Sequence, residues 1–197
     1  MTEATLHRPL LTLDELMTAD YERMEIINGE IVPMSAASGR HHIVAGNIYR
    51  ILEAYASLKG TGAVFFDGLH YLMFSSEAGL TDSFIPDTSL VLKRNIPAGW
   101  NIDKPHPGVP DLAVEVISPG DQADMVIQKA RTYLRKGTKQ VWLVYPKTKE
   151  LHKYVSDDPA TVTVFAESQK IDAAPLLPDL NITTDQVFAM PDWVDEG

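Results

Sequence analysis

Glu115 sits in the middle of LAVEVI, residues 112–117, an apolar run of the length and make-up of a strand. Burying an unpaired carboxylate is expensive. Its partner is therefore either a base, such as Lys129 or an arginine, or a bound cation. Strand parity narrows the second option. Residues 111, 113, 115 and 117 share a face, which puts Asp111 about 13 Å from Glu115 at roughly 3.3 Å per residue. One Mg²⁺, with ligands at about 2.1 Å, does not bridge that gap, and Pro110-Asp111 reads as turn chemistry at a strand start. A second carboxylate must come from a neighbouring strand. The segment 85–92 offers Asp87, just after Pro86. Adjacent strands lie about 4.8 Å apart, which suits two carboxylates on one ion.

The elements that must position these acids follow from pattern. Thr12, with Glu15 three residues on, caps a short helix. MEIINGEIVPM, residues 24–34, reads as two strands about Asn28-Gly29, a strong hairpin signal. Apolar residues recur at helical spacing over 41–59, and Gly60 ends that helix. Strands follow at 63–66, 70–74 and 85–92, then a proline- and glycine-bearing loop over 93–108. Beyond 112–117, Ser118-Pro119-Gly120-Asp121 turns into a helix over 122–136 with Val126, Ala130, Tyr133 and Leu134 facing inward and Gly137 as its stop. VWLVY, residues 141–145, is apolar throughout, as in a strand covered on both faces. The unit 112–145 is thus a βαβ crossover, and the fold class is α/β (α+β), a mixed sheet flanked by helices. Strands 151–155 and 161–165 form a last hairpin. We read 1–197 as one domain, with a core over 10–155 and an acidic hairpin and irregular tail over 156–197.

Composition sets the outer limits. The chain has 197 residues, 45% hydrophobic, enough for one sizeable core and too apolar for a disordered chain. No apolar run is long enough for a membrane span. The start, MTEATLHRPLLTLDEL, lacks the basic-then-apolar order of a signal peptide. With no cysteine, disulfides and thiolate zinc sites are excluded, and a cytoplasmic address is expected. The net charge of −10 argues against a non-specific nucleic-acid coat. Yet residues 121–153 hold eight of the 17 basic residues against three acids. That window is either a solvated face with a lysine-guarded edge or a phosphate-facing patch.

GVPDLAVEVISPG, then Lys129, Tyr133, Gly137 and VWLVYP, resemble the Uma-two family of restriction endonucleases, a branch of the PD-(D/E)XK nuclease superfamily. MEIINGEIVPMSAASGRHH resembles the family's N-terminal signature, and IPDTSLV its first Pro-Asp strand. The likeness runs from about residue 13 to 154. It implies a restriction-endonuclease-like mixed central sheet flanked by helices. It also implies a metal site of Asp87 and Glu115, with the Val116 carbonyl as a further ligand and Glu25 or Glu30 contributing from the hairpin. His41, or its neighbour His42, would open the first core helix near that site. The superfamily's usual lysine stands two residues after the glutamate, where this chain has Ile117. Lys129 on the following helix takes its expected place, with Gln128 as the neighbouring alternative. It lies one turn before Tyr133, within reach of the preceding strand.

The reaction implied is Mg²⁺- or Mn²⁺-assisted hydrolysis of a DNA phosphodiester, with catalytic Asp87, Glu115, Lys129, Glu25, Glu30 and His41. His41 is a candidate proton shuttle. A homodimer is expected by analogy with nucleases that cut both strands. Two other readings stay open: a non-catalytic binding or assembly module that kept the fold, and a hydrolase of another phosphorylated substrate.

Overall fold

Asn28 and Gly29 have φ of 52° and 82°, the two left-handed residues that a type I′ turn requires. The expected hairpin forms around them, with β1 (Met24–Ile27) antiparallel to β2 (Glu30–Pro33). The computed structural model describes residues 10–18, 23–76 and 78–194. Residues 1–9, part of the stretch read for a signal peptide, lie outside it. The capping box of Thr12 and Glu15 opens α1 (Leu13–Leu16). The helix α2 (Gly39–Lys59) begins at Ser38, whose Oγ accepts from the His41 N–H, and ends at left-handed Gly60.

Among the described residues ten strands form two sheets. A four-stranded antiparallel sheet has the order β2-β1-β5-β4, with β4 at Tyr71–Ser76 and β5 at Gly79–Phe84. A six-stranded sheet has the order β10-β9-β8-β7-β6-β3. Its strands are β3 (Gly62–Phe66), β6 (Thr88–Leu92), β7 (Leu112–Val116), β8 (Gln140–Tyr145), β9 (Glu150–Val155) and β10 (Asp158–Phe165). Among the described strand pairs only β7 and β8 run parallel, joined by α3 (Ala123–Lys136) in the crossover that the sequence predicts.

The strand expected over 85–92 is shorter, beginning only at Thr88, and a separate strand not expected from the sequence precedes it. β5 stops at Phe84, the chain bends through Ile85-Pro86-Asp87, and β6 starts at Thr88 in the other sheet. Pro86 has no N–H to give a ladder, which suits a break there. β5 carries no alternation to betray it, because Asp82 and Ser83 are as buried as Leu80 and Phe84. Asp82 is held by Lys136 of α3 at 3.3 Å, a pairing no local pattern reveals.

The six-stranded sheet is covered on both faces. Leu90, Leu112, Val114 and Trp142 pack against α2. Val91, Ala113, Val141 and Leu143 pack on the other side against Ala130 and Tyr133 of α3 and Tyr71 and Phe84 of the small sheet. Glu115 shares the parity of Ala113 and so belongs to the α3 side. The last segment is mostly irregular, apart from α4 (Thr184–Phe188). It is nevertheless built into the α2-side core, through Ile171, Leu177, Ile182 and Val187. The Tyr55 hydroxyl donates to the Pro178 carbonyl at 2.7 Å, and Asn47 Nδ2 donates to the Val187 and Ala189 carbonyls. No helix among the described residues is long and apolar enough to cross a membrane.

If the last segment is part of the core, Ile182→Ala, at a fully buried position, costs about 2–5 kcal/mol in urea unfolding. A loss below about 0.5 kcal/mol, typical of surface positions, would show the segment to be a mere appendage.

Candidate active site

In the β6–β7 ladder Thr88 faces Val114 and Ser89 faces Ala113. Continuing that register by one residue sets Asp87 opposite Glu115, and opposite residues of an antiparallel pair share a face. Both carboxylates are buried, at 8% and 9% exposure, and both line one cavity of about 400 Å³. The cavity opens at the end of the sheet where α2 and α3 begin.

Glu115 is held by α3. Its Oε2 accepts from Lys129 Nζ at 2.8 Å and its Oε1 from the Tyr133 hydroxyl at 2.8 Å. These donors are four residues apart and so share one helix face. Lys129 Nζ also lies 2.8 Å from Glu25 Oε1, and that oxygen accepts from the Ile85 N–H at 2.7 Å. The base that could partner Glu115 is thus Lys129, shared with a second acid from β1. Asp87 is held by two other elements. Its Oδ2 accepts from the Val116 N–H at 2.6 Å, and its Oδ1 lies 2.8 Å from His41 Nε2. In a strand the N–H and C=O of one residue point the same way, so the Val116 carbonyl is directed to the Asp87 side.

Two buried acids, Glu25 and Glu115, therefore share one lysine, and a third, Asp87, lines the same cavity. Burial is the largest cause that pushes the Glu115 carboxyl up, to about 8. Lys129 opposes it, and the charges of Glu25 and Asp87 add to it. For Lys129 burial alone would lower the pKa, but Glu115 and Glu25 outweigh it and keep the ammonium protonated. Burial, then the charge of Glu115, raises Tyr133 well above the usual phenol range, so its hydroxyl stays a donor. Burial would also lower His41, yet the bond to Asp87 and the charges of Asp87, Asp121 and Asp67 leave it raised.

The donor set decides which cation would fit. Among the described residues no group of three or more His, Asp and Glu side chains is arranged to hold a metal. That excludes a cage built wholly of side chains, as in structural zinc sites. What converges is two carboxylates and a peptide carbonyl, all hard oxygens. Mg²⁺ uses one or two carboxylates in this way and completes its shell with water and phosphate. Each oxygen of Asp87 and Glu115 already accepts one hydrogen bond, but a carboxylate has about four lone-pair sites. Acceptor capacity toward the cavity remains, and the residues fit such an ion.

Other candidates fall elsewhere. Glu30 shares a face with Glu25, since Ile27 pairs with Glu30 and Glu25 with Val32. It stands two residues closer to the turn, about 7 Å away, and is exposed outside the cavity. Gln128 points to solvent. Asp111 caps the opposite end of β7, accepting from the Leu92 N–H and from Asn95 Nδ2. His42 is exposed at the cavity rim, whereas His41 is buried against Asp87. Tyr133 was legible only as part of the inward stripe of α3. Its place one turn from Lys129 was the available signal for a polar role. Asp67, which also lines the cavity, was signalled only by an Asp-Gly pair after a strand.

A family model for Uma2, described as "Putative restriction endonuclease", matches residues 11–185. A crystal structure of a "putative nuclease belonging to DUF820" from Anabaena variabilis ATCC 29413 superimposes with a TM-score of 0.73 and 19% identity, covering 90% of this chain and 97% of that one. At that identity the likeness shows a shared fold. No curated protein matches the chain.

The raised pKa of His41 fixes the sign of one pH effect. Its pairing with Asp87 contributes stability that is fully present below 6.5 and is lost as pH rises through the raised value. The stability difference between the native chain and His41→Gln, read by urea unfolding from pH 5.5 to 8.5, should shrink as pH rises. A difference that grows with pH would mean the imidazole is held neutral.

Proposed function

Because the chain belongs to the Uma2 family of restriction endonucleases, we propose that it is an endonuclease that hydrolyses DNA phosphodiester bonds with a divalent cation, Mg²⁺ or Mn²⁺. The observation that carries this reading is the pairing of Asp87 and Glu115 across β6 and β7 on one cavity, with Lys129 fixed beside them.

The Asp87 and Glu115 carboxylates and the Val116 carbonyl would hold the ion. When bound, it supplies Lewis acidity toward a phosphoryl oxygen and lowers the pKa of water. Lys129 holds a permanent positive charge where negative charge grows on the phosphoryl group, and its two carboxylate partners fix it in advance, so it needs no reorganisation during the reaction. Tyr133 and Lys129 together set the orientation of Glu115. His41 acts as a positioning residue for Asp87 rather than as a proton shuttle, because its Nε2 is committed to Oδ1. Its Nδ1 lies 3.4 Å from Ser118 Oγ. Glu25 positions Lys129 from the small sheet.

One observation favours a second reading, a binding module that kept the fold. Every carboxylate oxygen of Asp87 and Glu115 already accepts from a protein group. Calorimetry separates the two. The endonuclease takes up Mn²⁺ with measurable heat, and a closed hydrogen-bond network does not.

Asp87→Asn and Glu115→Gln should each lower Mg²⁺-dependent cleavage by about a thousandfold, the loss of several kcal/mol of electrostatic stabilisation at about 1.4 kcal/mol per factor of ten. Both should abolish Mn²⁺ binding in calorimetry. The melting temperature of Glu115→Gln should hold or rise, because removing one of three crowded acids relieves repulsion, whereas Asp87→Asn should fold with a lower melting temperature because it also gives up the pairing with His41. Cleavage or Mn²⁺ binding that survives both substitutions, or variants that unfold, would end this reading.

A further inference from the structure

The structure sorts the basic window of residues 121–153. Lys129 belongs to the acid cluster, Lys136 pairs with Asp82, Lys153 donates to the Asp172 carbonyl, and Arg135 donates to Thr132 Oγ1. Lys147 and Lys149 are placed apart from these. They stand exposed in the turn between β8 and β9 and line a second, open groove of about 760 Å³. Arg40, from the first turn of α2, lines the same groove from a distant part of the chain.

Three further features give this groove a direction. It is continuous with the catalytic cavity, since His41, Ile117 and Ser118 line both. No acid among the described residues lines it, whereas the neighbouring cavity carries Glu25, Asp67, Asp87, Glu115 and Asp121. Lys149 has a φ of 56°, a left-handed conformation that glycine or asparagine adopts more cheaply. Its side chain is exposed and lines the groove.

In a chain of net charge −10, a polyanion is repelled by most of the surface and by the acid-lined cavity itself. It is attracted at a basic spot that adjoins that cavity. We propose that the groove between the start of α2 and the β8–β9 turn seats the DNA backbone beside the scissile phosphate, with Arg40, Lys147 and Lys149 as its phosphate contacts. Ile117, Pro119, Tyr145 and Pro146 provide apolar walls for the sugars between them. The choice of DNA as occupant rests on the endonuclease reading of the adjoining cavity.

The test uses the full chain carrying Lys147→Ala and Lys149→Ala together. DNA affinity is measured by fluorescence anisotropy with labelled oligonucleotides in EDTA across a salt series. Hydrolysis of bis(p-nitrophenyl) phosphate with Mn²⁺ is measured in parallel, because that diester is too small to span the groove. We expect affinity to fall about tenfold at low salt. The slope of log affinity against log salt should become shallower by about 1.4 on single strands or about 1.8 on duplex, the value of two phosphate contacts. Hydrolysis of the small diester should stay within about twofold. Unchanged DNA affinity and slope would overturn the proposal, as would a native chain that binds no DNA. If the native chain hydrolyses no diester while the double variant still loses DNA affinity, the endonuclease reading fails and the groove stands.

Discussion

Lys129 held between Glu25 and Glu115 is the contact at which the two sheets and α3 meet. The lysine comes from α3, one acid from β1 of the small sheet, and the other from β7 of the large one. A buried ion pair seldom repays the removal of both charges from water, and a second acid crowded onto the same lysine does not ease that cost. Its geometry is therefore set by the packing around it: Phe84 and Tyr133 in edge contact, the Lys129 ammonium above the Phe84 ring, and Tyr133 sealed in the α3-side core. The burial and neighbouring acids that raise Glu115 to about 8 would be offset by a further cation on the cavity, which is the property that a catalytic reading needs.

Asp87 enters the site because the chain changes sheets there. It leaves β5 through Ile85-Pro86, and in that bend the Ile85 N–H goes to Glu25 while Asp87 takes the Val116 N–H. The backbone donors left without a ladder by the bend are thus satisfied by two of the three buried acids. The same hydrogen bonds that close the backbone accounting orient the acids toward one cavity. The cavity and the basic groove both lie beyond the carboxyl ends of β7 and β8, the parallel pair, where open α/β sheets present their ligand sites.

Charge is divided between these two neighbouring hollows. Acids dominate the one and basic side chains the other, with His41 and Ser118 on the shared wall. A net charge of −10 would suggest a chain indifferent to polyanions, but a total says nothing about where its parts are placed. Lys147 and Lys149 line the groove because a tight turn holds them beside Arg40 of α2, whereas Lys136 and Lys153 face Asp82 and the Asp172 carbonyl elsewhere in the fold.

Local pattern in the sequence determined a good part of this protein. The Asn28-Gly29 hairpin, the α2 periodicity with its Gly60 stop, the βαβ unit and the oddity of Glu115 in an apolar strand are all short-range signals, written within a few residues by turn geometry, helical period and the cost of burying charge. The candidates Asp87 and Glu115 follow from parity and strand spacing, and Lys129 as a site residue follows from the family resemblance. Tertiary structure alone decided the rest. It chose Glu25 over Glu30 and His41 over His42, gave Tyr133 a carboxylate to hold, made a strand of 79–84, and sank the apolar residues of the last segment into the core. Each of these depends on which face of which sheet meets which helix. Contacts between residues dozens of positions apart leave no periodic trace in the chain, because either choice satisfies the local rules equally well.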